Sequence, residues 1–254
     1  MRASFLWQLG LAGIAISSPV QPAKKGLKTP AFFLAGDSTT ASGGGWGNGF
    51  LTTLVGGANG TNFGHNGATT ESFRAGGDWA NVTGAVKRAS ATHSPYVTIQ
   101  FGHNDQKPIK NITVAEFKVN MKKFAQEVIA AGGTPILVTS LSRRRYVNGS
   151  IDLDLVEQVK ATLAVASDLK AAVIDLNAAS MKYLNAIGET KARTYDKVLD
   201  DSTHLNPNAG LVFGNMVAGL ILESSVGHLV KPYVKEDASI KAAIAAGKYI
   251  LPSN

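Results

Sequence analysis

Five short runs of apolar or β-branched residues recur along the chain and predict buried strands. In chain order they are Ala31–Ala35, Thr61–His65, Tyr96–Phe101, Pro135–Thr139 and Ala172–Leu176. The run at residues 61–65 is the weakest of the set. None alternates strictly between apolar and polar positions, which is typical of strands that are covered on both faces.

Helical patterns occupy the intervals between these runs. Thr113 and Glu116 have the spacing of a capping box, and Gly132 and Gly133 end the helix that it opens. The apolar stripe of this helix consists of Val114, Phe117, Met121, Phe124 and Val128. A second stripe consists of Leu155, Val159, Leu163 and Ala166. A further helix is predicted to begin at Pro207 with Asn206 as its N-cap, and a short one to lie near Ile240–Ala246.

Strands that alternate with helices predict a mainly parallel sheet with right-handed crossovers and helices on both faces. At 254 residues the chain suits one large domain, and no repeat or linker divides it. We therefore expect an α/β fold, a three-layer α/β/α sandwich, with its core at about residues 31–224 and a polar C-terminal extension at 232–254. Functional residues of such sheets lie at the carboxyl ends of the strands.

The first residues have the pattern of a secretory signal peptide. Arg2 precedes a mostly apolar run, and small residues at the end of that run favour a cut after Ser17. Residues 1–17 are therefore predicted to be a signal peptide and 18–254 the mature domain; an N-terminal helix or anchor is the alternative. No other run approaches the ~20 apolar residues of a membrane span, so no membrane partner is expected.

Asn-x-Ser/Thr sequons support the same secretory route. They begin at Asn59, Asn81, Asn111 and Asn148, which are the candidate glycosylation sites. Together with the signal-peptide pattern they predict a secreted, extracellular glycoprotein.

The absence of cysteine narrows the candidate chemistry. The chain has no cysteine, which excludes disulfides, a thiolate nucleophile and a cysteine-based metal site. His65, His93 and His228 show no metal-ligand spacing. Neither a metal nor another cofactor is predicted.

The positive net charge points to an anionic ligand. The formal net charge is +7 at pH 7, and such a field attracts a polyuronate or a nucleic acid; surplus lysine that only confers solubility is the alternative reading. No zinc-finger or RNP pattern is present, so no nucleic acid is expected as a partner. We expect a monomer whose partner is an acidic polysaccharide.

Two short segments carry candidate residues for nucleophilic catalysis. Ser38 follows Gly36 and Asp37 at the end of the first predicted strand, where the turn can expose it as a nucleophile. Its hydroxyl needs a base, because free serine is a poor nucleophile at neutral pH. Asp201 precedes His204 by three residues, a spacing that allows the carboxylate to orient the imidazole. Asp200 is a neighbouring candidate, but the spacing favours Asp201.

Two further segments offer donors for a developing oxyanion. Gly67 follows the weak second strand and offers a backbone N–H, and Asn104 follows the third strand and offers a side-chain amide. A tight turn at Gly67 and an Asx-type loop at Asn104 are the alternative interpretations.

These segments stand in the order of the four sequence blocks of the SGNH (GDSL) hydrolases, and the chain resembles that superfamily. The resemblance implies a flavodoxin-like, five-stranded, mainly parallel sheet. It also implies a catalytic triad of Ser38, His204 and Asp201, and an oxyanion hole formed by the N–H groups of Ser38 and Gly67 and the amide of Asn104.

Within that superfamily the chain is most similar to the rhamnogalacturonan acetylesterases. The matching segments are Leu34–Thr39, Phe101–Asp105, Arg143–Tyr146 and Asp201–Leu205. The similarity implies removal of O-acetyl groups from pectic rhamnogalacturonan. Fungal members commonly have disulfides, which this chain lacks, and His65-Asn66-Gly67 is a loose form of the second block.

Substrate contacts are predicted at three residues. Arg144 and Arg145 are expected to bind uronate carboxylates, because the guanidinium fork matches carboxylate geometry; a solvated loop is the alternative. Trp46 is expected to stack on a sugar, with a core position as the alternative.

Three other functions stay open at this stage. The first is a general SGNH esterase or lipase, and the second is a xylan acetylesterase. The third is a catalytically silent carbohydrate-binding protein on the same scaffold. A phosphate-binding loop at Gly43–Gly49 is set aside, because the segment lacks the P-loop pattern.

Overall fold

A five-stranded parallel sheet lies at the centre of the molecule. The computed structural model describes residues 28–252, so the predicted signal peptide at 1–17 lies outside the described residues. The strands are β1 (Pro30–Gly36), β2 (Asn59–Asn62), β3 (Ser94–Gln100), β4 (Thr134–Val138), β5 (Tyr146–Val147), β6 (Ser150–Ile151) and β7 (Ala172–Ile174). The sheet has the order β2-β1-β3-β4-β7, and β5 and β6 form a separate small hairpin.

Ten helices surround the sheet within residues 28–252. They are α1 (Gly47–Leu51), α2 (Thr70–Ala75), α3 (Asp78–Ala89), α4 (Val114–Ala130), α5 (Val156–Leu169), α6 (Leu176–Ile187), α7 (Glu189–Arg193), α8 (Pro207–Glu223), α9 (Gly227–Val230) and α10 (Ala238–Ala245). A short 3₁₀ turn covers Pro108–Lys110.

Two hydrophobic clusters lie on opposite faces of the sheet. Phe32 and Leu34 face the cluster that contains α1, α6 and α8. Phe33 and Ala35 face the cluster that contains α2 to α5. This three-layer α/β/α arrangement and its flavodoxin-like strand order confirm the predicted fold class.

Most element boundaries follow local signals in the sequence. Thr113 and Glu116 form the predicted capping box of α4, and Asn206 caps α8 by accepting from the Ala209 N–H at 2.9 Å. β7 ends two residues earlier than predicted, because the Asp175 side chain caps α6. β2 begins and ends earlier than the predicted run at 61–65.

The buried face of α5 differs from the predicted stripe. Its buried residues are Gln158, Ala161, Thr162, Val165 and Ala166, whereas Val159 and Leu163 are half-buried and Leu155 precedes the helix. Leu155 and Ala166 of the predicted stripe are buried, but polar Gln158 and Thr162 share the buried face, so apolar spacing alone predicted it only in part.

The predicted C-terminal extension packs against the domain as far as residue 252. Val234 forms an antiparallel bridge with Leu54, and Ile240 in α10 is buried. The Tyr249 ring stacks on the Tyr195 ring with the centroids 5.5 Å apart. Among the helices of residues 28–252, each is too short or too polar to span a lipid bilayer.

Candidate active site

Ser38 lies in a tight turn directly after β1. The carboxylate of Asp37 accepts hydrogen bonds from the N–H and the hydroxyl of Thr39, at 2.9 and 2.8 Å. A side chain at Gly36 would place its Cβ 2.3 Å from Thr40 Oγ1 and 2.7 Å from the Gln100 carbonyl oxygen. Only glycine fits there, so the turn that presents Ser38 depends on it.

The structure brings Ser38, His204 and Asp201 together. His204 Nε2 lies 2.9 Å from Ser38 Oγ, and Asp201 Oδ2 lies 2.9 Å from His204 Nδ1. The two hydrogen bonds form the chain in which a carboxylate orients an imidazole and the imidazole accepts the serine proton. Residues 38 and 204 are 166 positions apart in sequence. They meet because the loop before α8 is held against the loop after β1, where the Leu205 N–H donates to the Gly44 carbonyl oxygen at 2.8 Å.

Asp201 is held ready to act as an anion. Its Oδ1 accepts from the backbone N–H groups of Thr203 and His204 at 3.2 and 3.0 Å. Burial raises the pKa of Asp201, but these bonds and the His204 ring together lower that pKa below its ordinary value. The neighbouring Asp200 is exposed and has a φ of 62°, and it makes no side-chain hydrogen bond to His204.

The predicted oxyanion donors line the same cleft as Ser38. Ser38, Gly67, Asn104 and His204 share a cavity of about 650 Å³. Within residues 28–252, the backbone N–H groups of Ser38 and Gly67 donate to no protein acceptor. Gly67 has a φ of 78°, a left-handed conformation that favours glycine. Both N–H groups are therefore free to receive a negative oxygen.

The amide of Asn104 is oriented by two neighbours. Its Nδ2 donates to the Ala68 carbonyl oxygen at 3.0 Å, and its Oδ1 accepts from Lys107 Nζ at 2.7 Å. The lysine cation at the amide oxygen fixes which end of the amide is the donor. One N–H of the Asn104 amide donates to the Ala68 carbonyl oxygen, and the second N–H of the same amide is available for the oxyanion.

Asn104→Ala is expected to lower kcat on the order of 100- to 1,000-fold, because it removes one oxyanion donor. The measurement is the steady-state hydrolysis of p-nitrophenyl acetate. Asn66→Ala is the matched control, because Asn66 lines the same cleft but is not one of the proposed oxyanion donors. Equal losses of kcat in the two variants would contradict the role of Asn104.

A buried pair of titratable side chains at the cleft, Asp37 and His103, was not predicted from the sequence. His103 Nδ1 lies 3.5 Å from Asp37 Oδ2, and both side chains are almost fully buried. Burial raises the pKa of Asp37, yet His103 and Thr39 together lower that pKa below its ordinary value. The position of Asp37 next to Ser38 was the one signal in the sequence that pointed to this pair.

A second buried carboxylate ties the two donor loops together. Asp105 Oδ1 accepts from the N–H and the hydroxyl of Thr70 at 2.8 and 2.7 Å. Burial raises the pKa of Asp105, and the charge of Asp37 also raises it, against the hydrogen bonds from Thr70. Since Thr70 follows Gly67 and Asp105 follows Asn104, these bonds fix the distance between the two donors.

Two of the three predicted substrate contacts are incompatible with the structure. The Arg144 side chain is fully buried and pairs with Asp196, with Nε 2.6 Å from Oδ1. Trp46 is also fully buried, and its indole N–H donates to Gln100 Oε1 at 2.7 Å. Neither side chain presents a surface to a sugar, because each is enclosed by partners distant in sequence.

Arg145 lies outside the cleft. Its side chain is 51% exposed and pairs with Asp152 and Asp154. The basic residues that do line the cleft are Lys107, Arg143 and Lys197. Three adjacent arginines thus have three environments, and sequence alone did not separate them.

The four sequon asparagines are all exposed. Asn59, Asn81, Asn111 and Asn148 lie on the surface, and glycosylation at them stays a prediction. Within residues 28–252, no group of three or more His, Cys, Asp or Glu side chains is placed to hold a metal ion.

Comparison with known proteins identifies the family. Residues 34–209 match the GDSL-like Lipase/Acylhydrolase family. The chain is 32% identical over 227 residues to the rhamnogalacturonan acetylesterase RhgT of Bacillus subtilis (strain 168), and the alignment covers 80% of this chain and 96% of that protein.

Two solved structures share the fold. Protein YxiM of Bacillus subtilis matches with a TM-score of 0.68 at 23% identity, over 78% of this chain and 57% of that one. The acetylxylan esterase Axe2 of Geobacillus stearothermophilus matches with a TM-score of 0.55 at 17% identity, over 78% of this chain and 94% of that one. From the family match and the identity to RhgT, the chain belongs to the GDSL-like lipase/acylhydrolase family and is an SGNH-class esterase.

Proposed function

We propose that this esterase removes O-acetyl groups from an acidic pectic polysaccharide, rhamnogalacturonan, outside the cell. The observation that carries the proposal is the composition of the cleft around Ser38. Within residues 28–252, the cleft is lined by the basic residues Lys107, Arg143 and Lys197, and its only acidic lining residue is Asp201. Asp201 is engaged by His204, and Arg143 is paired with Asp154. The positive charge that an anionic polymer meets in the cleft is therefore that of Lys107 and Lys197.

The cleft also favours a short acyl group. Val198 is the one large aliphatic side chain among the lining residues in the described part of the chain. A long acyl chain needs an extended apolar wall to replace its contact with water, because each buried CH₂ contributes about 0.8 kcal/mol. An acetyl group needs no such wall, which argues for an acetylesterase rather than a lipase.

The reaction that we propose begins with acyl transfer to the enzyme. Ser38 Oγ attacks the ester carbonyl carbon while His204 Nε2 accepts the hydroxyl proton. The negative oxygen is stabilised by the N–H groups of Ser38 and Gly67 and by the Asn104 amide. The bond to the sugar oxygen then breaks, and His204 gives its proton to that oxygen.

Water completes the cycle by the same route. His204 accepts a proton from water, whose oxygen attacks the acetyl-Ser38 carbonyl carbon. The second tetrahedral intermediate collapses, the Ser38 oxygen leaves with the proton from His204, and acetate is released. Asp201 stabilises the imidazolium in both halves of the reaction.

Secretion is part of the proposal. The signal-peptide pattern of residues 1–17, the exposed sequon asparagines and a substrate class found in plant cell walls all support it. Each of these is compatible with an extracellular enzyme that meets a polymer too large to enter a cell.

A xylan acetylesterase is the second candidate function. It is favoured by the fold that the chain shares with the acetylxylan esterase Axe2. Xylan deacetylation needs no cationic cleft, so charge separates the two candidates. A silent carbohydrate-binding protein is disfavoured, because Ser38, His204 and Asp201 are all present at hydrogen-bonding distances.

Lys197→Gln tests the proposed charge preference. Lys197 lines the cleft, and within residues 28–252 its Nζ makes no ion pair. We expect the ratio of kcat/KM on acetylated rhamnogalacturonan to kcat/KM on p-nitrophenyl acetate to fall about three- to tenfold, or roughly 1 kcal/mol. The measurement is acetate release at low ionic strength.

Lys110→Gln is the control, because Lys110 is exposed outside the cleft. In addition, the unaltered enzyme is assayed on acetylated rhamnogalacturonan, acetylated xylan and long-chain p-nitrophenyl esters, and the three rates of hydrolysis are compared. Faster release from xylan, or equal effects of both lysine substitutions, would contradict the acidic substrate.

A further inference from the structure

The loop that carries Asp201 and His204 has little packing of its own. An antiparallel bridge between Asp196 and Leu205 joins the two ends of the loop, and we call this bridged pair the neck. Inside the neck, the Lys197 N–H donates to the His204 carbonyl oxygen at 2.9 Å. The outer part is exposed, with Leu199 91% accessible. Contacts at the base of the loop must therefore fix its conformation.

Arg144 provides most of these contacts from a buried position, beside the bond from Arg143 Nε to Thr203 Oγ1 at 3.2 Å and that from the Leu205 N–H to the Gly44 carbonyl oxygen at 2.8 Å. Its Nη2 donates to the carbonyl oxygen of His204 at 2.6 Å and to that of Asp201 at 3.1 Å. Its Nε donates to the Asp196 carboxylate at 2.6 Å, and its backbone N–H donates to the Ser202 carbonyl oxygen at 2.8 Å. One residue thus binds the backbone of both triad members and the neck of their loop.

These bonds constrain the angle at which the imidazole meets Ser38. The carbonyl oxygen of His204 accepts from both Arg144 Nη2 and the Lys197 N–H, which leaves its peptide group little freedom to rotate. The imidazole then reaches Ser38 Oγ at 2.9 Å. A misplacement of about 1 Å at such a contact is sufficient to cost on the order of 100-fold in rate.

We propose that Arg144 is a positioning residue of the esterase, which holds Asp201 and His204 in register with Ser38 and does not contact the substrate. The inference rests on the proposed serine mechanism. Arginine is required because its planar fork reaches three acceptors at once, whereas a lysine ammonium is a single point charge. Asp196 is the partner that compensates the buried guanidinium.

Arg144→Met and Arg144→Lys test this role with p-nitrophenyl acetate, well below the unfolding temperature of each variant. We expect kcat to fall about 100-fold in Arg144→Met and about tenfold in Arg144→Lys, with KM within about threefold of the unaltered enzyme in both. A rise in KM with unchanged kcat would overturn the proposal, because it would show a contact with substrate.

Arg74→Met is the control for the loss of an ion pair. Arg74 on α2 pairs with Glu127 on α4 at 3.1 Å, and neither residue lines the cleft. Loss of this ion pair is expected to lower stability and to leave kcat unchanged. An equal fall in kcat in Arg74→Met would overturn the proposal by showing a general effect of destabilisation.

Asp196→Asn provides a second variant if Arg144→Met does not fold. It keeps the arginine but removes its charged partner, and kcat is expected to fall about tenfold. Unchanged kcat in both Arg144→Lys and Asp196→Asn would overturn the positioning role. Inactivity of the unaltered enzyme on every ester would instead refute the serine mechanism, so the two failures are distinguishable.

Discussion

Ser38→Ala is expected to lower kcat for ester hydrolysis by roughly 10⁵- to 10⁶-fold, because it removes the atom that forms the acyl-enzyme. His204, Asp201 and the oxyanion donors stay in place, so substrate binding should persist. The variant should therefore bind acetylated polymer while releasing almost no acetate. The measurement is acetate release, with the folded state checked by thermal unfolding.

Ser42→Ala is the matched control for this prediction. Ser42 is an exposed residue of the same loop, and its hydroxyl accepts from Asn48 Nδ2 at 3.0 Å. Its replacement should leave kcat within about twofold, as is usual for surface positions. Retention of more than about a tenth of the activity in Ser38→Ala would refute the serine as nucleophile.

Asp201→Asn should be the second most damaging change, with kcat lowered about 10³- to 10⁴-fold. The neutral amide cannot stabilise the imidazolium that forms when His204 takes the serine proton. An amide N–H facing Nδ1 also favours the tautomer that carries its proton on Nε2, so the base loses the lone pair directed at Ser38. The measurement is kcat on p-nitrophenyl acetate.

The neighbouring Asp200 offers a control of the same chemistry. Asp200→Asn makes the same substitution one residue away, at an exposed position whose φ of 62° asparagine tolerates. We expect kcat close to that of the unaltered enzyme. The reverse pattern, with Asp200→Asn damaging and Asp201→Asn harmless, would transfer the triad role to Asp200.

Much of the fold was predictable because its signals are local. The strands are covered on both faces, so each reads as a short apolar run, and the capping residues Thr113 and Asn206 mark helix starts directly. Two candidate site residues were predictable for a similar reason, because Ser38 and Asn104 lie just after strands that end at the same edge of the sheet.

The surroundings of these residues were not predictable, because they depend on partners distant in sequence. Arg143, Arg144 and Arg145 are adjacent, yet only the fold decides that Arg144 meets Asp196, 52 positions away. Trp46 is likewise enclosed with Gln100, 54 positions away. Residue type suggested a substrate contact in both cases, whereas burial assigns them to the interior.

The same limit applies to the charge of the cleft. Lys107 and Lys197 are ordinary surface lysines in the sequence, and they become cleft residues only because two separate loops meet at the edge of the sheet. A net charge of +7 indicated an anionic ligand but not where it binds. The location required the three-dimensional structure.

The most direct test of the central claim is covalent labelling of the nucleophile. The unaltered enzyme is treated with diethyl p-nitrophenyl phosphate, and the released p-nitrophenol, the remaining activity and the labelled peptide are measured together. A serine activated by His204 should release about one p-nitrophenol per chain, with complete loss of activity and the phosphoryl group on Ser38. Full activity after treatment, or inactivation with the label on another residue, would contradict the account.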